Sequence, residues 1–231
     1  MGNENMRFET VVLDLAGTTV VDDGLVELGF ERAFDRVLPG DPGRAAAVEH
    51  VRATMGQSKI EVFRALADEA TAQRLNQAFE QAYAELVEEG RCTPIPGAEK
   101  AVRELRERGL AVVFTTGFGR ATADAVVGAL GWRDLADAVL TPADAGRGRP
   151  APDLNLTALL RTGAGSVDAL VVVGDTESDA ASGVAAGAGL VVGVLTGGRA
   201  EPALRAAGAQ HVLGSVIQLP ALIDAVIDGR R

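Results

Sequence analysis

Twice in this chain an unbroken aliphatic run, one strand long, ends on a carboxylate. Val11-Val12-Leu13 runs into Asp14, and Val171-Val172-Val173 runs through Gly174 into Asp175. Runs without polar alternation mark strands covered on both faces, the kind found in parallel sheets. A buried strand that ends on an unpaired acid carries a desolvation penalty of several kcal/mol, which a bound cation would offset. In open α/β sheets, ligands sit just beyond the carboxyl ends of the strands, where both acids fall.

The texture between and after these runs supports that fold. From Ala98 onward, strand-length runs alternate with helical stretches. Strands are expected at 110–116, 138–140, 169–174, 189–195 and 210–213. Helices are expected at 98–108, 120–130, 153–161, 178–186, 201–207 and 217–227, several stopped by a glycine such as Gly109 or Gly131. Strands joined by helices imply an α/β doubly wound parallel sheet with right-handed crossovers. Residues 25–90 are different. Three stripes at helical spacing predict three helices: Val26, Phe30, Phe34 and Val37; Val62, Phe63, Leu66 and Ala70; Leu75, Phe79, Tyr83 and Leu86. An all-helical block this large exceeds a simple crossover and reads as an inserted cap. The expected division is an α/β core of residues 1–21 and 93–231 with a helical cap of residues 22–92.

Composition narrows the function. The net charge is 22 − 32 = −10, which argues against nucleic acid as a partner. The single cysteine, Cys92, cannot form an intramolecular disulfide and suits a reducing compartment. The opening MGNENMRFE is polar, with no apolar core of a signal peptide and with Met6 where a myristoylation pattern needs Ser or Thr. No apolar run reaches membrane length. A cytoplasmic protein without membrane attachment is expected.

Four strand ends can carry chemistry. Asp14 is the candidate nucleophile. Thr115-Thr116-Gly117 offers a hydroxyl and a flexible backbone ahead of a helix, a setting for phosphate. Gly146-Arg147-Gly148-Arg149-Pro150 holds two arginines suited to bidentate phosphate contacts. Asp175 and Asp179 would join Asp14 in an all-oxygen cluster, a Mg²⁺ site completed by water and substrate phosphate. His50 and His211 stand alone and do not suggest zinc. A carboxylate nucleophile beside Mg²⁺ suits phosphoryl transfer through an aspartyl-phosphate. Gly117-Phe118-Gly119 imitates a dinucleotide fingerprint but lacks the third glycine.

Asp14-x-Ala16-Gly17-Thr18, Thr116-Gly117, Arg149-Pro150 and Gly174-Asp175-x-x-x-Asp179 together resemble the haloacid dehalogenase superfamily, in order and spacing, over essentially the whole chain. The resemblance implies a Rossmann-like core with a cap inserted after the first strand. It implies a Mg²⁺ held by Asp14, the backbone oxygen of Ala16, Asp175 and Asp179. Substrate would be bound by Ala16, Gly17, Thr18, Thr116, Gly117 and Arg149. Superfamily phosphatases usually carry a general acid two residues after the nucleophile, and here that position is Ala16. Ala16, Thr115-Thr116-Gly117 and Arg149 instead resemble the phosphonatase branch, the phosphonoacetaldehyde hydrolases. In that branch a cap lysine forms a Schiff base with the substrate aldehyde. Met55-Gly56-Gln57-Ser58-Lys59 resembles the corresponding segment, which assigns catalysis to Asp14, Lys59 and Arg149 and substrate contacts to Met55 and Gly56. Two positions depart: the branch's cap histidine falls at Val62 and its loop cysteine near Leu25. The expected function is a Mg²⁺-dependent phosphonatase-like hydrolase of a small phosphonate or phosphorylated metabolite, acting as a monomer or homodimer. A phosphatase of small phosphate esters is the enzymatic alternative, and a non-catalytic phosphate-metabolite sensor the other.

Overall fold

The computed structural model describes residues 8–229. The leader and myristoylation readings concern residues that lie outside that range, apart from Phe8 and Glu9. Six parallel strands form one sheet: β1 Thr10–Asp14, β2 Ala111–Thr115, β3 Ala138–Leu140, β4 Leu170–Gly174, β5 Leu190–Val194 and β6 His211–Leu213. Their order is β3-β2-β1-β4-β5-β6, so the chain builds outward on one side of β1 and returns to build on the other. That reversal opens a crevice at the carboxyl ends of β1 and β4. All residues of β1, β4 and β5 are buried, as their unalternating sequences require.

Four helices make up the insertion that follows β1: α1 Leu25–Val37, α2 Arg44–Ala53, α3 Lys59–Arg64 and α4 Glu69–Glu88. One more helix forms here than the three apolar stripes predict. In α2 only Ala47 and Val51 are buried, too few to leave a stripe in the sequence. The second stripe is also divided. Val62 and Phe63 lie on α3, whereas Ala70 begins α4 and is exposed. Asp68 breaks the helix between them, its carboxylate accepting from the Thr71 N–H at 3.0 Å as an N-cap. The insertion is held by rings: Phe30 packs on Phe63 at 4.6 Å and on Phe79 at 4.8 Å between centroids. Tyr83 continues the cluster onto Phe118 of the core at 4.7 Å, so one apolar core runs from insertion to sheet.

The two chain segments that join insertion and sheet run antiparallel. The Val21 N–H donates to the Thr93 carbonyl and the Ile95 N–H to the Thr19 carbonyl, both at 2.9 Å. The remaining helices are α5 Ala98–Glu107, α6 Arg120–Ala129, α7 Pro142–Ala145, α8 Asp153–Thr162, α9 Glu177–Ala186, α10 Glu201–Ala206 and α11 Leu219–Ile227. Only the one-turn α7 has no counterpart in the expected pattern. Among the described residues, no helix is long and apolar enough to cross a membrane.

Candidate active site

Register brings the strand ends together. Asp14 pairs with Thr115 across β1 and β2, and Leu13 pairs with Val173 across β1 and β4. Asp14, Thr116 and Asp175 therefore emerge side by side. They line one cavity of about 250 Å³, shared with Ala16, Gly117 and, from the insertion, Met55, Gly56 and Lys59.

The charges at the floor do not balance. Arg149 is buried and reaches Asp14 Oδ1 with Nη2 at 2.6 Å. Its Nη1 pairs with Asp179 Oδ1. Asp179 spends Oδ2 within its own helix start, accepting from the Thr176 N–H at 3.0 Å and the Thr176 hydroxyl at 2.5 Å. Asp175 is left with the Thr18 hydroxyl, which donates to Oδ1 at 2.9 Å. Burial, reinforced by the negative charge of Asp14, pushes the Asp175 carboxyl up to about 8, against the opposing pull of Thr18 and Arg149. Three buried acids face one guanidinium, leaving two negative charges when all are ionised. Those acids are all-oxygen donors of the kind a hard divalent cation takes. Among the described residues, no group of three or more His, Cys, Asp and Glu side chains is placed to hold a metal ion, so the protein supplies fewer than three such ligands as the acids stand here.

Glycines bring backbone close to these groups. Gly17 has a φ of 87°, and a Cβ there or at Gly197 would collide with the Asp175 carboxylate. Thr196 donates its hydroxyl to the Gly17 carbonyl at 2.5 Å and fixes that turn. The seam with the insertion is equally tight. A Cβ at Gly117 would strike the Gln57 carbonyl, and one at Gly56 would strike Thr176 Oγ1. Across the same seam the Lys59 N–H donates to the Gly117 carbonyl at 3.1 Å.

That bond delivers the Lys59 side chain into the cavity. The residue is only 6% exposed. Its Nζ lies 3.4 Å from the Gln57 carbonyl and 5.4 Å from the centre of the Phe118 ring. Burial first, and then the charge of Arg149, lowers the amine to about 8, although Asp14, Asp22 and Asp175 pull the other way.

Other expected residues fall differently. Arg147 points away and pairs with Asp153 at 2.8 Å on the surface. Thr116 accepts from the Phe118 N–H at 3.1 Å through its hydroxyl, which closes the turn beside the cavity. Val62 and Leu25 are buried in the apolar core. The imitation of a dinucleotide loop dissolves, because Phe118 packs with the aromatic cluster. The sequence reading missed Asp22, Arg52 and Arg199, which also line the cavity. Asp22 caps α1 by accepting from the Val26 N–H at 2.9 Å, and burial raises its carboxyl. For Arg199 a signal existed: it follows Thr196-Gly197-Gly198 at the carboxyl end of β5.

A family model described as haloacid dehalogenase-like hydrolase matches residues 8–187. The phosphonoacetaldehyde hydrolase of Hahella chejuensis is 28% identical over 94% of this chain and 86% of its own length. That of Bacillus cereus is 31% identical over 83% and 77%. Among solved structures, a hydrolase from Pseudomonas syringae superposes with a TM-score of 0.83 at 25% identity, covering 94% of this chain and 99% of that one. A phosphonoacetaldehyde hydrolase-like protein from Oleispira antarctica gives a TM-score of 0.80 at 24% identity, covering 96% and 93%.

Proposed function

The chain belongs to the haloacid dehalogenase-like hydrolases, in their phosphonoacetaldehyde hydrolase-like branch, and on that footing we propose that it cleaves the C–P bond of a small phosphono-aldehyde or close relative. The observation that carries this reading is that a buried amine of lowered proton affinity, Lys59, shares one cavity with the carboxylate of Asp14.

The two side chains divide the work. Neutral Lys59 adds to the substrate carbonyl, water leaves, and the resulting imine makes the neighbouring carbon an acceptor for the C–P electron pair. Asp14 attacks phosphorus as that bond breaks, forming an aspartyl-phosphate and an enamine. Protonation of the enamine carbon and hydrolysis of the imine return Lys59, while water releases phosphate from Asp14. Arg149 holds Asp14 on the attacking side and balances part of its charge. Thr116, Gly117, Gly17 and Thr18 surround the phosphoryl group. Asp14, Asp175 and the Ala16 backbone oxygen would hold Mg²⁺, with Asp179 behind them and water and substrate oxygens completing the shell. Mg²⁺ supplies the positive charge that lets a carboxylate approach an anionic phosphorus centre. The insertion of residues 22–92 acts as a cap, with Met55, Gly56 and Lys59 on its inner face.

A panel assay tests the reading. Phosphonoacetaldehyde and a set of alkyl phosphate esters are incubated with Mg²⁺ and wild-type, Asp14→Asn or Lys59→Arg protein. Phosphate release from the phosphonate that depends on both residues is the expected result. Turnover of esters alone, indifferent to Lys59→Arg, would refute C–P cleavage. Asp22 gives that second reading a specific basis, because a carboxyl raised by burial and lining the cavity can protonate an alkoxide leaving group in place of the acid missing at Ala16.

A further inference from the structure

The cavity has a second charged region that the phosphoryl chemistry leaves unused. Arg52, in the last turn of α2, and Arg199, in the loop after β5, both line it. They approach from opposite sides of the seam and are tied together, since Arg199 Nη2 donates to the Arg52 carbonyl at 2.6 Å.

Each guanidinium is anchored along the same edge. Arg52 gives Nε and Nη2 to the Glu27 carboxylate at 2.9 and 2.5 Å. Arg199 uses Nη2 on the carbonyl, and its Nε lies 3.4 Å from Glu177. Among the described residues, Nη1 of neither arginine makes a hydrogen bond to protein. Each arginine thus keeps Nη1 for a ligand, and guanidinium nitrogens match the oxygens of a carboxylate in charge and hydrogen-bonding geometry. Val26, Met55 and Phe118 supply apolar lining for a short carbon body.

We infer that the substrate carries a second anionic group of the carboxylate class, at the end away from phosphorus, and that Arg52 and Arg199 select for it. The inference rests on the reading that Asp14 marks the phosphoryl end of the cavity. It narrows the substrate from any small phosphono-aldehyde to one that also carries a carboxylated tail.

The test is a matched pair of inert ligands, propylphosphonate and 3-phosphonopropanoate, titrated calorimetrically into the full chain with Mg²⁺. Charge-assisted hydrogen bonds are stronger than neutral ones, so the carboxylate should improve affinity by about tenfold or more. In Arg199→Met, and separately in Arg52→Met, the ratio of the two affinities should fall toward one, and Arg199→Lys should keep part of it. Equal affinities in the wild type, or a preference that survives both methionine variants, would overturn the inference while leaving the phosphoryl site standing. Failure of both compounds to bind would overturn the phosphoryl-site reading and the inference with it.

Discussion

Lys59 sets a pH at which the chemistry should switch on. An ordinary lysine, near 10.5, is neutral in roughly one molecule in 3,000 at pH 7. With burial and Arg149 lowering the amine to about 8, about one molecule in ten is neutral at that pH. The reactive form is thus enriched by roughly 300-fold, equivalent to ~3 kcal/mol. Because the folded-state proton affinity is depressed, the neutral amine accumulates as pH rises through 8. The unfolded chain holds more protons between about 8 and 10.5, so folding stability also rises across that window. The assay is borohydride trapping of phosphonoacetaldehyde on the protein at a series of pH values, read by intact mass and peptide mapping. The expected result is one adduct, on Lys59, whose trapping rate follows a single ionisation with a midpoint near 8. Asp22→Asn removes a negative charge that favours the protonated amine and should move the midpoint down. A midpoint above about 10, or an adduct that survives Lys59→Arg, would refute the reasoning.

Further expectations concern the frame around that amine. Asp14→Asn should lower turnover by at least about a thousandfold without changing the thermal melting profile beyond a few degrees, because it deletes a nucleophile and keeps the volume. Gly117→Ala places a methyl group against the Gln57 carbonyl and should part the seam, costing ~1–3 kcal/mol of seam stability; activity falls and protease cleavage in the insertion rises. Phe79→Ala removes a fully buried ring that touches Phe30, Phe63, Tyr83 and Phe118, and should destabilise the chain by ~3–5 kcal/mol in urea unfolding.

The sheet and the floor of the site were legible because they rest on local signals. An aliphatic run into an acid announces a buried strand, and β1 and β4 bring Asp14 and Asp175 to one cavity. The insertion was less legible. A helix such as α2, held by Ala47 and Val51 alone, carries too little apolar periodicity to be seen. Long-range geometry was invisible altogether. Nothing in the sequence says that Arg149 divides its guanidinium between Asp14 and Asp179, while Arg147, two residues away, turns to solvent. Arg52 sits in the last turn of a polar helix, and only the folded seam brings it to Arg199.

The main-chain bond from Lys59 to Gly117 couples docking to reactivity. An insertion moved off the core would expose the amine to water and return its proton, so reactivity at Lys59 is tied to contact across the seam.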